Sequence, residues 1–280
     1  MKVRLMDEEL ELLRPEAADW GAFLRVAEGE GWRVPDTEMA LLRGPLADCA
    51  LALRRGGQFC GLVTAVNHGQ SAWIGNLIVP RDLRGLGYGK HLLEKAILHL
   101  EEQQVRSIWL TASAAGYPLY RARGFETVGQ VQRWILHKDS VALACIKEQA
   151  NKCEGLQVAD SSTWGERRPF LGYLLPLGRT LQYGSNAALL QRESGLQILG
   201  PWITGNADEE EHRQLLSLAT GAAKADEELV IDVRAGALAP QLLQDAGFIL
   251  QGQTQLMVRG DLAGIDLERL VSFASLGSMG

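Results

Sequence analysis

The sequence has no paired cysteines, no basic surplus and no long apolar run, and each shortage removes a class of protein. Its four cysteines, Cys49, Cys60, Cys145 and Cys153, stand apart with no CxxC pair among them. Neither a zinc site nor a dithiol redox motif is indicated, and no metal is expected. Lysine and arginine number 28 against 34 aspartates and glutamates, a net charge of -6. Nucleic-acid binding favours a concentrated basic surface. No basic stripe is apparent, so nucleic acid is not expected as a partner. The opening residues turn acidic at Asp7-Glu8-Glu9 before an apolar signal core forms, and no apolar run approaches the roughly 18 residues of a membrane span. The expectation is a cytoplasmic protein without membrane attachment, either monomer or homodimer.

What is present is a chain of 280 residues, 46% hydrophobic and 22% charged, enough for two domains that each bury a core. One stretch stands out. An apolar strand, Leu77-Ile78-Val79, ends at Pro80, and a basic turn follows with glycines at alternate positions, Arg84-Gly85-Leu86-Gly87-Tyr88-Gly89-Lys90. Directly after it Leu92, Leu93, Ala96, Ile97 and Leu100 recur at helical spacing. Glycine lets backbone N–H groups converge on a ligand, and the new helix adds unpaired amides and its positive dipole end. This is an anion cradle suited to a phosphate or pyrophosphate. A Walker loop is excluded, because the lysine is followed by His91 and not by serine or threonine. A dinucleotide fold would place the glycines after the first strand of a βαβ unit, whereas a substantial region precedes this loop.

The chain in order predicts a strand within residues 3–13, a helix from Asp19 with Asp19 as its N-cap, and a second short helix over Thr37 to Arg43. Strands at Ala50–Arg55 and Phe59–Val66 flank the tight turn Gly56-Gly57, and a third runs from Ser71 to Val79 into the cradle. After the cradle helix come a strand at Ile108–Thr111, a short helix in Pro118–Phe125 closed by Gly124, and a strand over Val128–Leu136. Between the first two helices, Glu28, Glu30 and Trp32 suit a wall facing a substrate, and His68 is a further candidate there.

The spacing Arg84-x-x-Gly87-x-Gly89 after Leu77-Ile78-Val79 resembles the pyrophosphate loop of the GNAT superfamily of acyl-CoA-dependent N-acetyltransferases. Leu119-Tyr120-Arg121-Ala122-Arg123-Gly124-Phe125 resembles that family's Leu-Tyr-x-x-x-Gly-Phe segment, and the order of elements over residues 1–140 matches its pattern. The resemblance implies transfer of an acetyl group from acetyl-CoA to a primary amine of a small molecule, amino acid or protein. It implies that the amides of Arg84, Gly85, Leu86, Gly87, Tyr88, Gly89 and Lys90 hold the pyrophosphate. Leu77, Ile78 and Val79 would bond the pantetheine and thioester carbonyl, and Tyr120 would serve the leaving sulfur. Ser113 stands where relatives carry an asparagine that touches the cofactor. No base is assigned: Glu28, Glu30, Asp36, His68 and a water chain remain open. A non-catalytic acyl-CoA sensor is the alternative function.

The second half echoes the first. Val230–Arg234 followed by Pro240–Phe248 parallels Ile108–Thr111 followed by Pro118–Phe125, and Leu196–Thr204 parallels the strand before the cradle. Where the first copy has its glycines, the second has Gly205-Asn206-Ala207-Asp208-Glu209-Glu210-Glu211, and opposite Tyr120 it has Leu243. The expected architecture is α/β of the α+β type, two tandem GNAT-like domains, each a mixed, mostly antiparallel twisted sheet flanked by helices. Residues 1–140 form the catalytic domain, 141–152 a linker, and 153–280 a degenerate copy without a cofactor loop.

Overall fold

The computed structural model describes residues 10–137, 153–193 and 195–280; the expected linker and Cys145 lie outside them. The first half runs β1 (Leu10–Leu13), α1 (Ala17–Gly29), α2 (Asp36–Arg43), β2 (Ala50–Arg55), β3 (Gln58–Asn67), β4 (Ser71–Ile78), α3 (Tyr88–Glu102), β5 (Ser107–Ala112), α4 (Tyr117–Arg121) and β6 (Glu126–Leu136). The second runs α5 (Cys153–Trp164), α6 (Leu171–Leu174), β7 (Gly178–Tyr183), β8 (Asn186–Glu193), β9 (Leu196–Ile203), α7 (Glu209–Ala222), β10 (Glu228–Arg234), α8 (Pro240–Asp245), β11 (Ile249–Gly260) and β12 (Leu270–Ser272). The predicted order of elements is present in the first half, and the segments of the second half expected to parallel it form β9, β10 and α8. Among the described residues no helix is long and apolar enough to cross a membrane.

Helix α1 begins three residues earlier than the sequence predicts. Glu16 is its N-cap, and Asp19 instead turns back to accept the Glu16 amide at 2.8 Å. Asp19 is buried and also receives two hydrogen bonds from Arg54 of β2, at 2.9 and 2.6 Å. Burial alone would raise its pKa; the Arg54 and backbone bonds outweigh that and hold it below the usual carboxylate range.

All strands join in one twelve-stranded sheet ordered β1-β2-β3-β4-β5-β11-β6-β10-β12-β9-β8-β7. The two expected sheets are therefore continuous, and they meet by exchange. β11, from the second half, pairs antiparallel with β5 of the first, Leu256 opposite Thr111 and Val258 opposite Trp109. β6, from the first half, pairs antiparallel with β10 of the second, Ile231 opposite Trp134. β6 and β11 then pair with each other along the centre. Each half is completed by the other's last long strand, which satisfies backbone groups that two separate sheets would leave at open edges.

Helix α3 covers one face of the first half with Leu92, Leu93, Ala96 and Leu100 over Ala72, Ile74, Ile108 and Leu110. On the other face, α1 and α2 pack over Leu62 and Ile78. Further along that face Trp164 of α5 meets Trp73 and Trp109 edge to face, with centroids 6.4 and 5.5 Å apart. Such pairs add roughly 0.5–1.5 kcal/mol beyond the area they bury, and here they fasten the second half onto the first.

Candidate functional site

Two parallel pairings interrupt the otherwise antiparallel sheet, and both end early. β4 and β5 pair only from Ser71 with Ser107 to Trp73 with Trp109. Beyond Trp73 the register of β4 against β3 shifts between Leu62 and Thr64, and Asn76 takes a left-handed conformation with φ of 52°. β5 meanwhile continues along β11. A notch opens between Gly75–Val79 and Leu110–Ser113, with Leu77 and Val79 half-buried at its wall.

The notch leads to the glycine turn. Gly85 and Gly87 have φ of 81° and 89°, conformations that L residues rarely adopt, and a Cβ at either would meet nothing within 4 Å. Gly87 is the N-cap of α3, no side chain caps that end, and no acidic residue lies in its first turn. Open backbone amides and an uncompensated dipole end face a cavity of about 270 Å³ lined by Leu10, Leu86, Gly87, Tyr88, Lys90, His91 and Glu94. These groups fit a phosphate or pyrophosphate.

Arg84 and Arg81 flank the cradle on its other side, and both bind Glu30, at 2.9 and 2.6 Å. The Arg81 bond, with Arg84 behind it, holds the Glu30 carboxyl below its usual range. Glu30 thus ties the end of α1 to the cradle. Trp32 is 40% exposed in the following loop, and Glu28 is exposed on α1.

Tyr120 lies on α4, 9% exposed, edge to face with Phe125 at 6.0 Å. Burial pushes its pKa up to about 12, so the phenol is protonated at neutral pH. Ser113, exposed at the end of β5, accepts the Gly116 amide on its Oγ at 3.2 Å and the Tyr117 amide on its carbonyl at 2.9 Å. Its observed part is to start the turn that carries Tyr120.

The face of the notch opposite α3 is covered by a segment whose position the sequence does not indicate. Residues Phe273–Gly280 run across β4: Trp73 Nε1 donates to Gly277 O at 3.1 Å, and His68 Nε2 to Met279 O at 3.0 Å. Gly75 has no side chain because Ser278 lies against it, its Cα 2.5 Å from where a Cβ would sit. His68 is 4% exposed and stacks on Phe170. Burial, with the nearby Arg168 charge, lowers its pKa to about 3. It supports this segment from behind and does not line the notch. Glu38 of α2, absent from the sequence-based candidates, accepts the Asn76 amide Nδ2 at 2.9 Å and is 4% exposed.

The second half contributes to the wall and has filled its own equivalents of the site. Glu193 of β8 accepts the Thr37 amide at the start of α2, 2.9 Å away, and Glu228 of β10 pairs with Arg33 of the α1–α2 loop. In place of the cradle, Asp208 caps α7 by accepting the Glu211 amide at 2.9 Å. Glu211 itself accepts from the amide and hydroxyl of Ser185, at 3.0 and 2.8 Å. In place of the notch, β12 lies between β9 and β10, Leu270 opposite Ile203 and Ser272 opposite Val233. An internal carboxylate and an internal strand stand where the first half is open.

No curated protein matches the chain by sequence. Residues 17–125 match the model of the acetyltransferase (GNAT) family. Among solved structures the chain is similar to a candidate acetyltransferase from Pyrococcus horikoshii, at 16% identity and a TM-score of 0.78, with 98% of each chain covered. It is similar to a GCN5-related N-acetyltransferase from Sphaerobacter thermophilus, at 16% identity and a TM-score of 0.66, over 95% of this chain and 99% of that one. A candidate acetyltransferase from Thermoplasma acidophilum gives 11% identity and a TM-score of 0.59, over 90% and 100%. At these identities the likeness is one of fold, and it extends through both halves.

Proposed function

We propose that this chain, whose residues 17–125 match the model of the acetyltransferase (GNAT) family, is a cytoplasmic enzyme moving an acetyl group from acetyl-CoA to a primary amine. The observation that carries this is the meeting of three features at one place: an uncapped helix end behind two left-handed glycines, a notch between β4 and β5, and a protonated phenol at Tyr120. The amides from Arg84 to Lys90 hold the pyrophosphate, with the Lys90 and His91 side chains beside it. The edge of Leu77, Ile78 and Val79 that β5 leaves unpaired takes the pantetheine, as a neighbouring strand would, and its amides polarise the thioester carbonyl. Ser113 orients α4, and Tyr120 supplies a proton to the departing sulfur. Glu30 and Trp32, with Glu28 at the margin, border the acceptor entrance.

Catalysis belongs to residues 1–140. Residues 153–280, joined through 141–152, brace the acceptor wall and bind no acyl-CoA, since Glu211 and β12 fill the corresponding places. Titration of the full chain with CoA should give one site. A ratio of two would refute the silent second half. Thiol release from acetyl-CoA with a panel of primary amines tests the reaction, and Tyr120→Phe should lower kcat about 100-fold or more. CoA binding with no thiol release for any amine would leave a sensor and not an enzyme.

A further inference from the structure

A second cavity, of about 210 Å³, lies between the start of α1 and the end of α2, and the proposed reaction makes no use of it. Arg14, Pro15 and Trp20 line it from α1 and its approach, Leu42 and Arg43 from α2. α1 has 13 residues, so it spans about 20 Å and sets this cavity well apart from Glu30 and the cradle at its other end. The cavity wall holds donors that lack the acceptors such groups ordinarily find. The Arg43 guanidinium stacks over the Trp20 ring, its Cζ 5.9 Å from the centroid, and has no carboxylate or hydrogen-bond partner among the described residues. Arg14 donates from Nε to Ala47 O at 3.3 Å and pairs through Nη2 with Asp48 at 2.8 Å, which leaves its Nη1 unused. The Asp48 side chain is 91% exposed, and water weakens such a pair. Trp20 is 4% exposed. Where Trp73, Trp109 and Trp202 donate their indole N–H to an oxygen, that of Trp20 donates to none among the described residues. Unlike those of Trp134 and Trp164, it is not sealed from solvent.

We propose that this cavity binds a small oxyanion, a phosphate or a carboxylate, between Arg43 and Arg14, with the Trp20 N–H as a further donor. The proposal stands apart from the acetyltransferase reading. A guanidinium offers an oxyanion parallel N–H donors, and here two guanidiniums approach one space from different elements. The negative end of the α2 dipole accounts for a cation at Arg43. It does not account for a second guanidinium and an unused indole N–H at the same place. Liquid water occupies about 30 Å³ per molecule, so the cavity takes an oxyanion with a few further heavy atoms, which Leu42 and Pro15 seat. Asp48 is the carboxylate that competes for Arg14. The bound anion links the residue before α1 to the last residue of α2 and clasps the helix pair there. At the pair's other end, Arg33 of the connecting loop is already held by Glu228.

Inorganic phosphate titrated into the full-length chain saturated with CoA, which keeps phosphate out of the cradle, should bind at one site by calorimetry. Arg43→Gln should weaken that binding about tenfold or more, and Arg14→Gln severalfold. Asp48→Asn should tighten it severalfold, because it frees Arg14 from its competitor; a purely structural Arg14–Asp48 pair would not give this sign. Arg25→Gln, exposed on α1 and outside the lining, should leave the affinity within about twofold. Phosphate should also raise the urea midpoint of the wild type and not, at the same concentration, that of Arg43→Gln. Malonate in place of phosphate separates the two sources of oxyanion, the tighter ligand naming the class. Arg43 and Asp48 are both exposed, and if Arg43→Gln does not fold, the sign of the Asp48→Asn effect decides. Wild-type protein that binds neither anion overturns the proposal, as does a phosphate affinity equal in the wild type and Arg43→Gln. Should the chain bind no CoA, the acetyltransferase reading falls, and the difference between the wild type and Arg43→Gln still reads the cavity.

Discussion

Replacing Gly87 by alanine separates the cradle's conformation from its chemistry. Gly87 has φ of 89°, where an L residue costs about 1–2 kcal/mol. Since nothing lies within 4 Å of the new Cβ, no clash is added. For a protein of this size that loss lowers the Tm by roughly 2–8 °C, and the chain still folds. The methyl group projects into the space at the start of α3 where an anion's oxygens must approach the amides. A hydrogen bond to a charged group contributes about 1.5–3 kcal/mol, so losing one weakens CoA binding about 10- to 100-fold. Gly236 supplies the control: its φ is 87°, a Cβ there also meets nothing within 4 Å, and it follows β10 in the second half. Gly236→Ala should show the same fall in Tm with CoA affinity unchanged. Calorimetric titration with CoA and thermal denaturation of both variants decide the matter. A Gly87→Ala protein that loses stability like Gly236→Ala but binds CoA like the wild type would refute the cradle, and Gly87→Glu should abolish binding outright.

His68 makes stability depend on pH in a definite direction. Its folded pKa is about 3 against an ordinary 6.5, so below pH 6.5 the unfolded chain binds a proton that the folded chain does not. Stability conferred by the neutral ring is full above pH 6.5 and is lost as pH falls toward 3, by about 1.4 kcal/mol at pH 5.5. Urea midpoints between pH 7.5 and 5.5 should show this slope, and His68→Gln should remove it; an unchanged slope in the variant would mean another group is responsible. Asp160 and Arg168, each 1% exposed, are paired at 2.5 and 3.0 Å. Asp160→Asn should cost about 3–5 kcal/mol by stranding the guanidinium, read as a lowered urea midpoint, and a loss under about 1 kcal/mol would show that the pair is replaceable.

The cradle was legible because its causes are local. Alternate glycines after Pro80 and the apolar spacing from Leu92 to Leu100 fix a turn and an amphipathic helix wherever the rest of the chain lies. The acidic start of α7 was legible for the same reason. The partners of β6 and β11 were not, because an alternating strand pairs equally well with either half and only the assembled sheet decides. Glu38 was hidden by its setting: Asp36-Thr37-Glu38 reads as the charged first turn of a surface helix. Its burial comes from Ser278 and Glu193, more than 150 residues away in sequence. His68 suffered the reverse error, a histidine in a turn whose burial comes from Phe170 and Met279. The N-cap shift from Asp19 to Glu16 reflects Arg54, which draws the Asp19 carboxylate inward.

The exchange of β6 and β11 sets a schedule on the ribosome. The first half cannot complete its sheet until β11 emerges, although all its other strands have been made by Leu136. At translation rates of 5–20 residues per second that interval is roughly 6–25 s. Through it the nascent chain carries β5 with one edge unpaired and β6 without its final neighbours, both strands that aggregate readily when left open. Selection on this protein therefore acts on the waiting chain as well as on the finished one.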